Sequence, residues 1–152
     1  MDNNLSTKGK ILIYFGLING MIQIGMMVLQ NLIPFSFETY QLMELISCSQ
    51  EVLCFALYLI LLILSIVFIS LDKKNFENTS VHKDILIYTI LYVIGLRGLA
   101  PLLLPVTTLR HTIANKKSGY STKGDTVLLI FNIVACVLTL GGFLTIVTGV
   151  LY

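Results

Sequence analysis

The stretch "YVIGLRGLAPLLLPVTTLR", residues 92–110, interrupts the third of four long apolar runs in the chain. It carries one arginine, Arg97, near the middle of a run that is otherwise long enough to span a membrane. Glycine loses the most conformational freedom in a helix, and proline removes a backbone hydrogen-bond donor. The sequence therefore predicts a helix break here, at Gly95, Gly98, Pro101 and Pro105.

The composition of the whole chain is that of a membrane protein. Of the 152 residues, 56% are hydrophobic and only 12% are charged, which leaves too little polar material to cover a soluble domain. The charged residues lie in short patches, separated by apolar runs of about twenty residues, the length that spans a hydrocarbon core. We expect a single transmembrane domain over residues 1–152 in contact with the lipid bilayer. The small net charge of +2 argues against a nucleic-acid partner.

Four helical segments are expected, at about 11–33, 42–71, 85–109 and 126–151. The first is interpreted as a retained signal anchor, because it is too long for a signal peptide and no small-residue cleavage site follows it. Asp125 is a candidate N-cap for the fourth segment. The predicted fold is all-α, a four-helix transmembrane bundle with a Gly/Pro-broken third segment.

The topology depends on whether the third segment crosses the membrane. Basic residues near membrane boundaries favour the cytoplasmic side, and this predicts a cytoplasmic N-terminus, with the plasma membrane as the expected location. The chain has ten Lys and Arg residues, and all except Arg97 lie outside the apolar segments. These nine are Lys8, Lys10, Lys73, Lys74, Lys83, Arg110, Lys116, Lys117 and Lys123.

If segment 3 crosses, these nine residues divide almost evenly between the two sides, and such a balance would also permit dual topology. If it turns back, all nine lie on one side, which favours three spans plus a re-entrant hairpin. We nevertheless expect a kinked crossing, because apolar segments of this length usually span and prolines are common in membrane helices.

Arg97 is the first candidate for an intramembrane polar contact. Counted from residue 85 it lies about 18 Å into the segment, near the centre of a core about 30 Å thick. A charge at that depth costs on the order of 3 kcal/mol, so Arg97 should face the bundle and find a partner. It could contact an anion or substrate, or it could hold the broken backbone together. Its candidate counter-ion is Glu51, although Glu51 should lie near the outer interface, and Glu44 on the same face should be solvated.

Segment 1 carries a stripe of amide side chains. Asn19, Gln23 and Gln30 are spaced by four and seven residues, so they share one face of a helix. Amide side chains can form hydrogen bonds between membrane helices, which makes helix packing the first interpretation. The alternative is that the stripe lines a polar cavity together with Arg97.

Small residues mark two predicted packing faces. Gly16 and Gly20 form a GxxxG spacing in segment 1, and Gly141, Thr145 and Gly149 repeat every four residues in segment 4. Small side chains let helix backbones approach closely in lipid. These faces predict contacts between helices or with another subunit.

The sequence contains no pattern that indicates catalysis. It lacks the GxSxG, HExxH and P-loop motifs, its three cysteines show no metal-ligand spacing, and no cofactor is expected. His82 and His111 are expected to be surface residues. The predicted function is a non-catalytic, membrane-embedded binding, accessory or immunity-type subunit that engages a membrane-protein partner or a second copy. The alternative is a small oligomeric transporter or channel, with Arg97 and the amide stripe lining the path.

Overall fold

The structure, a computed structural model, describes residues 5–33, 36–75, 78–97, 99–118 and 122–148. These residues form five α-helices and no strand, which confirms the all-α prediction. The helices are α1 (Thr7–Leu32), α2 (Phe37–Lys74), α3 (Ser80–Val93), α4 (Ala100–Lys117) and α5 (Lys123–Thr148).

Three of the helices, α1, α2 and α5, are long and apolar enough to cross a membrane. They correspond to the predicted segments 1, 2 and 4. Their first turns begin where the sequence supplies capping side chains. The Ser6 side chain accepts a hydrogen bond from the Gly9 amide, and Ser36 and Thr39 form a capping box at the start of α2.

Asp125 has a different role from the predicted N-cap. The Thr122 amide donates a hydrogen bond to Asp125 Oδ2 at 2.7 Å, and the Asp125 amide donates to Thr122 Oγ1 at 3.4 Å. This reciprocal pair is a capping box, in which Thr122 precedes α5 and Asp125 lies in its first turn. The prediction was therefore wrong by three residues, because the hydroxyl of Thr122 provides the cap.

Segment 3 is broken by a specific turn after α3. The Gly95 amide donates to the Tyr92 carbonyl and the Leu96 amide donates to the Leu91 carbonyl, which is the hydrogen-bond pattern of a Schellman motif. Gly95 has φ +109°, a conformation that side chains with a Cβ rarely adopt. Pro101 lies in the first turn of α4, where a missing amide donor costs little. Gly98 lies outside the described residues.

The two halves of segment 3 pack side by side in opposite directions. The Tyr88 and Thr107 hydroxyls are 2.7 Å apart, and His111 Nε2 is 2.7 Å from Asp84 Oδ2. Asp84 and His111 would be about 40 Å apart in one continuous helix. The expectation of a single kinked helix is therefore wrong. The Schellman turn reverses the chain and makes α3 and α4 a helical hairpin.

The helices are arranged as an arc around α1. Helix α1 contacts all four of the others, and along the arc each helix contacts the next, from α2 through α3 and α4 to α5. Within the described ranges, α2 and α5 do not contact each other. The buried core lies between α1, the hairpin and the adjacent halves of α2 and α5, and its fully buried side chains include Leu12, Leu17, Leu61 and Leu104.

Candidate functional site

The hairpin is shorter than the helices around it. Three successive contacts show its register against α1: Gly16 faces Leu104, Gly20 faces Pro101, and Gln23 Nε2 donates to the Arg97 carbonyl at 3.1 Å. The turn between α3 and α4, which we call the tip, therefore reaches only the level of Gln23. Helix α1 continues to Leu32, about 14 Å further.

Beyond the tip, α1, α2 and α5 have no hairpin between them. On α2, every described side chain from Phe37 to Leu53 is exposed or half-buried, and the same holds for residues 140–148 of α5. Because α2 and α5 do not meet in the part of the chain that the structure describes, an open space remains above the tip. We call this space the trough. Its described polar lining is Gln23, Gln30, Glu44, Ser47, Glu51 and Arg97.

Arg97 forms the floor of the trough. Its Nη1 lies 3.8 Å from Glu51 Oε2 on α2, so the structure brings the predicted pair together. However, the Arg97 side chain is 49% exposed and that of Glu51 is 69% exposed. Arg97 is therefore not a fully buried charge inside a span, as the sequence suggested. The turn carries it to the end of the hairpin, level with Glu51, where the trough gives it room.

The amide stripe of α1 runs from the core into the trough. Asn19 is 1% exposed, and neither polar atom of its amide has a hydrogen-bond partner among the described residues. Gln23 is buried beside the tip, and its Oε1 also lacks a described partner. Gln30 lies in a groove with Glu44 and Ser47 of α2. A buried amide without a partner costs free energy, so the inner part of this stripe needs water or a ligand for satisfaction.

The small-residue faces differ in what they contact. A Cβ built on Gly16 would lie 3.1 Å from Leu104, so this glycine allows α4 to approach α1 closely. On α5 the close contact is made by Gly142, where a Cβ would lie 2.4 Å from Ile24 Cγ2. A Cβ on the predicted Gly141 would have no described atom within 4 Å.

The other predicted small and helix-breaking residues have separate positions. The Thr145 hydroxyl donates to the Gly142 carbonyl of its own helix at 2.7 Å, and Gly149 lies outside the described residues. Pro105 is inside α4, where the Thr108 hydroxyl donates to its carbonyl at 3.1 Å. The tip is thus made by Gly95, and Pro105 is accommodated within a helix.

The opposite end of the molecule contains a buried charged cluster that the sequence analysis missed. Asp72 is fully buried, forms an ion pair with Lys8, and accepts a hydrogen bond from the Ser6 hydroxyl at 2.7 Å. His82 Nε2 lies 3.0 Å from Asp72 Oδ2, and His82 is also fully buried. The prediction of a surface His82 was wrong, because α1 and α2 cover the first turn of α3. Burial lowers the pKa of His82, and the nearby Lys8 ammonium lowers it further, against the opposing effect of Asp72.

Two more pairs connect the helix ends beside this cluster. Lys10 Nζ lies 2.6 Å from Asp125 Oδ1, which joins α1 to α5, and the Asp84–His111 pair joins the two helices of the hairpin. The only signal in the sequence is that each acid sits within a few residues of a predicted helix end. Pairing across helices cannot be read from that spacing.

Most of the positive charge of the chain lies at this same end of the molecule. Eight of the nine basic residues outside segment 3 lie in the first turn of α1, α3 or α5 or in the last turn of α2 or α4. Arg110 lies seven residues before the end of α4, next to His111 of the Asp84–His111 pair. The three ion pairs hold these helix ends together. We call this the basic end. The opposite end of the molecule, which contains the trough, is called the open end. No Lys or Arg occurs between Lys10 and Lys73, so the open end carries three negative charges, Glu38, Glu44 and Glu51, and one positive charge, Arg97.

Among the described residues, no three His, Cys, Asp or Glu side chains form a group that could hold a metal ion. Comparison with protein-family models, with curated proteins and with solved structures finds no match for this chain.

Proposed function

We propose that this protein is a non-catalytic, membrane-embedded binding subunit, of the accessory or immunity type, that receives a membrane partner in the trough. The observation that carries the proposal is the short hairpin, which leaves α2 and α5 apart above the tip. Helices in lipid associate through close packing and interhelical hydrogen bonds. A space flanked by three helices and lined with amide, hydroxyl and carboxylate groups offers both.

For the orientation, we propose three spans with a hairpin that returns to the side it entered from. The N-terminus would be cytoplasmic in the plasma membrane. The support is the collection of nine basic residues at one end, since basic residues in short loops are retained in the cytoplasm. Helix α3 has 14 residues and spans about 21 Å, which is shorter than a hydrocarbon core of about 30 Å. The trough would then open toward the outer side.

The proposal can be tested by photo-crosslinking in the membranes of the native host. A photoreactive phenylalanine analogue is introduced at Ser47, in the trough, and in a matched variant at Ile63, an exposed position on α2 nearer the basic end. We expect a discrete polypeptide adduct from Ser47 and only lipid adducts from Ile63. Lipid adducts alone at both positions, or the same polypeptide adducts at both, would contradict a specific partner site.

A small oligomeric transporter or channel is the second candidate. The observation in its favour is the line of polar groups that leads inward from Arg97 through Gln23 to Asn19. Against it, the core below the tip is closely packed around Leu12, Leu17, Leu61 and Leu104, each at most 1% exposed, so a path would have to form between copies. Anion flux in proteoliposomes tests this candidate. Transport requires flux in the wild type and its loss in Arg97→Gln with unchanged assembly, whereas a binding subunit shows no flux in either.

A further inference from the structure

The two walls of the trough differ in chemistry, which bears on what the trough can bind. On α2, Glu44 and Glu51 are seven residues apart and therefore share one face, and the contact of Glu51 with Arg97 shows that this face is turned toward the tip. On α5, residues 140–148 carry no charged side chain and are exposed or half-buried. An acidic wall thus faces an apolar one.

The charge of the trough is not compensated within the open end. The single cation Arg97 lies 3.8 Å from Glu51, and no described cation forms an ion pair with Glu44. At the floor, the buried Gln23 Oε1 is an acceptor without a partner in the described part of the chain. Both features call for a ligand that brings positive charge and hydrogen-bond donors.

We propose that the trough binds a cationic amphipathic helix, with its Lys or Arg side chains against Glu44 and Glu51 and its apolar face against α5. This inference rests on the proposed function and names the chemistry of the partner. Below the tip, α3 and α4 lie between α2 and α5. Above the tip no described helix takes their place, so a helix is the natural occupant of the space. The apolar face of the bound helix would pack against α5, and its basic side chains would lie against Glu44 and Glu51 on α2.

The test uses the full chain in phosphatidylcholine nanodiscs and two fluorescent peptides of eighteen residues. One is an amphipathic Leu/Lys helix, and the other is a Leu/Gln helix of the same pattern. We expect the Leu/Lys peptide to bind about tenfold more tightly, measured by anisotropy against empty nanodiscs, and about tenfold corresponds to 1.4 kcal/mol. The double variant Glu44→Gln/Glu51→Gln should lose this preference. Both side chains are exposed, so the fold should tolerate the change.

The matched control for each single change, Glu44→Gln or Glu51→Gln, is Glu38→Gln, because it also removes one negative charge from α2 but lies about 120° away from the Glu44 face. It should change the affinity less than twofold. Equal binding of the two peptides, or an equal loss in Glu38→Gln and the double variant, would overturn the inference. So would exclusive occupation of the trough by a second copy, seen as a Ser47 adduct of twice the mass of the chain.

The two proposals fail separately. A polypeptide adduct at Ser47 in host membranes, together with no preference for the Leu/Lys peptide, would remove the cationic helix and keep the binding subunit. Loss of both signals would remove the binding subunit itself. As a second measurement, a photoreactive Leu/Lys peptide should label residues 40–51 and not the region around Ile63.

Discussion

The basic end and the open end of this bundle use charge in opposite ways. At the basic end, Asp72 is fully buried and held by Lys8, Ser6 and His82 on two other helices. At the open end, Glu51 and Arg97 are 3.8 Å apart and both are half-exposed or more. Buried pairs are costly to break, whereas exposed pairs contribute little to stability. The difference indicates that the charges of the basic end hold the helices together, whereas those of the open end contribute little to the stability of the fold.

The prediction with the largest expected effect is that the end of α2 and the end of α4 lie on the same side of the membrane. In a background without the native cysteines, single cysteines at Lys74 and Lys117 should react with an impermeant reagent from the same side of the membrane. The reason is that the hairpin returns the chain to the side of Asp84. Labelling from opposite sides would mean that segment 3 crosses, and labelling of each position from both sides would indicate dual topology.

Breaking the buried cluster should cost the most stability. Asp72→Asn removes a fully buried carboxylate from Lys8 and His82, and we expect a loss of about 3–5 kcal/mol in the free energy of unfolding. The matched change at the open end, Glu51→Gln, should stay within about 1 kcal/mol. Denaturant unfolding in detergent measures both. Equal losses would contradict the contrast between the two ends.

The glycine pair of α5 provides a smaller test of packing. Gly142→Ala places a methyl group against Ile24 Cγ2, a β-branched side chain that moves little, so we expect a loss of about 1–3 kcal/mol. Gly141→Ala adds the same methyl group where no described atom lies within 4 Å. That control should be neutral or stabilising by about 0.5–1 kcal/mol, through helix propensity. Thermal unfolding followed by circular dichroism distinguishes the two, and similar melting temperatures would show that α5 packs differently.

The smallest effect is a pH dependence at the basic end. Burial lowers the pKa of His82, so the folded state binds its proton less readily than the unfolded state, whose pKa is about 6.5. The stabilising contribution of neutral His82 is therefore complete above about pH 6.5 and is lost as the pH falls through the folded pKa. Asp72 and Lys8 face the ring from the neighbouring helices.

The check is the unfolding midpoint measured between pH 8 and pH 5. His82→Gln should reduce the slope over that range, and His111→Gln is the matched control at the other histidine of the chain. An unchanged slope in His82→Gln would assign the pH dependence to another group.

Much of the fold could be predicted from local signals. The apolar runs marked the three long helices, and their predicted starts lie within five residues of the observed ones, because burial in lipid depends on composition and length. The break at Gly95 was also predicted, because its cause is a local backbone conformation. What the break does was not predicted. A kink and a reversal use the same residues, and the direction of α4 depends on its packing against α1 through Gly16 and Gly20.

The candidate site shows the same division. Arg97, Glu51 and the amide stripe could be selected as candidates from the sequence, because a polar side chain in an apolar segment costs free energy whatever the segment packs against. The trough was not recognised, since it arises from a difference in length between the hairpin and its neighbours. The buried cluster around Asp72 was missed because its members are far apart in sequence, with Lys8 and Asp72 separated by 64 positions.

The amino-acid sequence alone determines that the chain forms helices long and apolar enough to cross a membrane, and that its third segment is interrupted. These properties follow from the cost of placing polar groups in lipid, which each segment meets by itself. Only the tertiary structure decides that the interrupted segment turns back, that charges from separate helices close one end, and that the other end stays open. Those features depend on which helices touch, and contact between distant residues is not encoded in any single stretch of the chain.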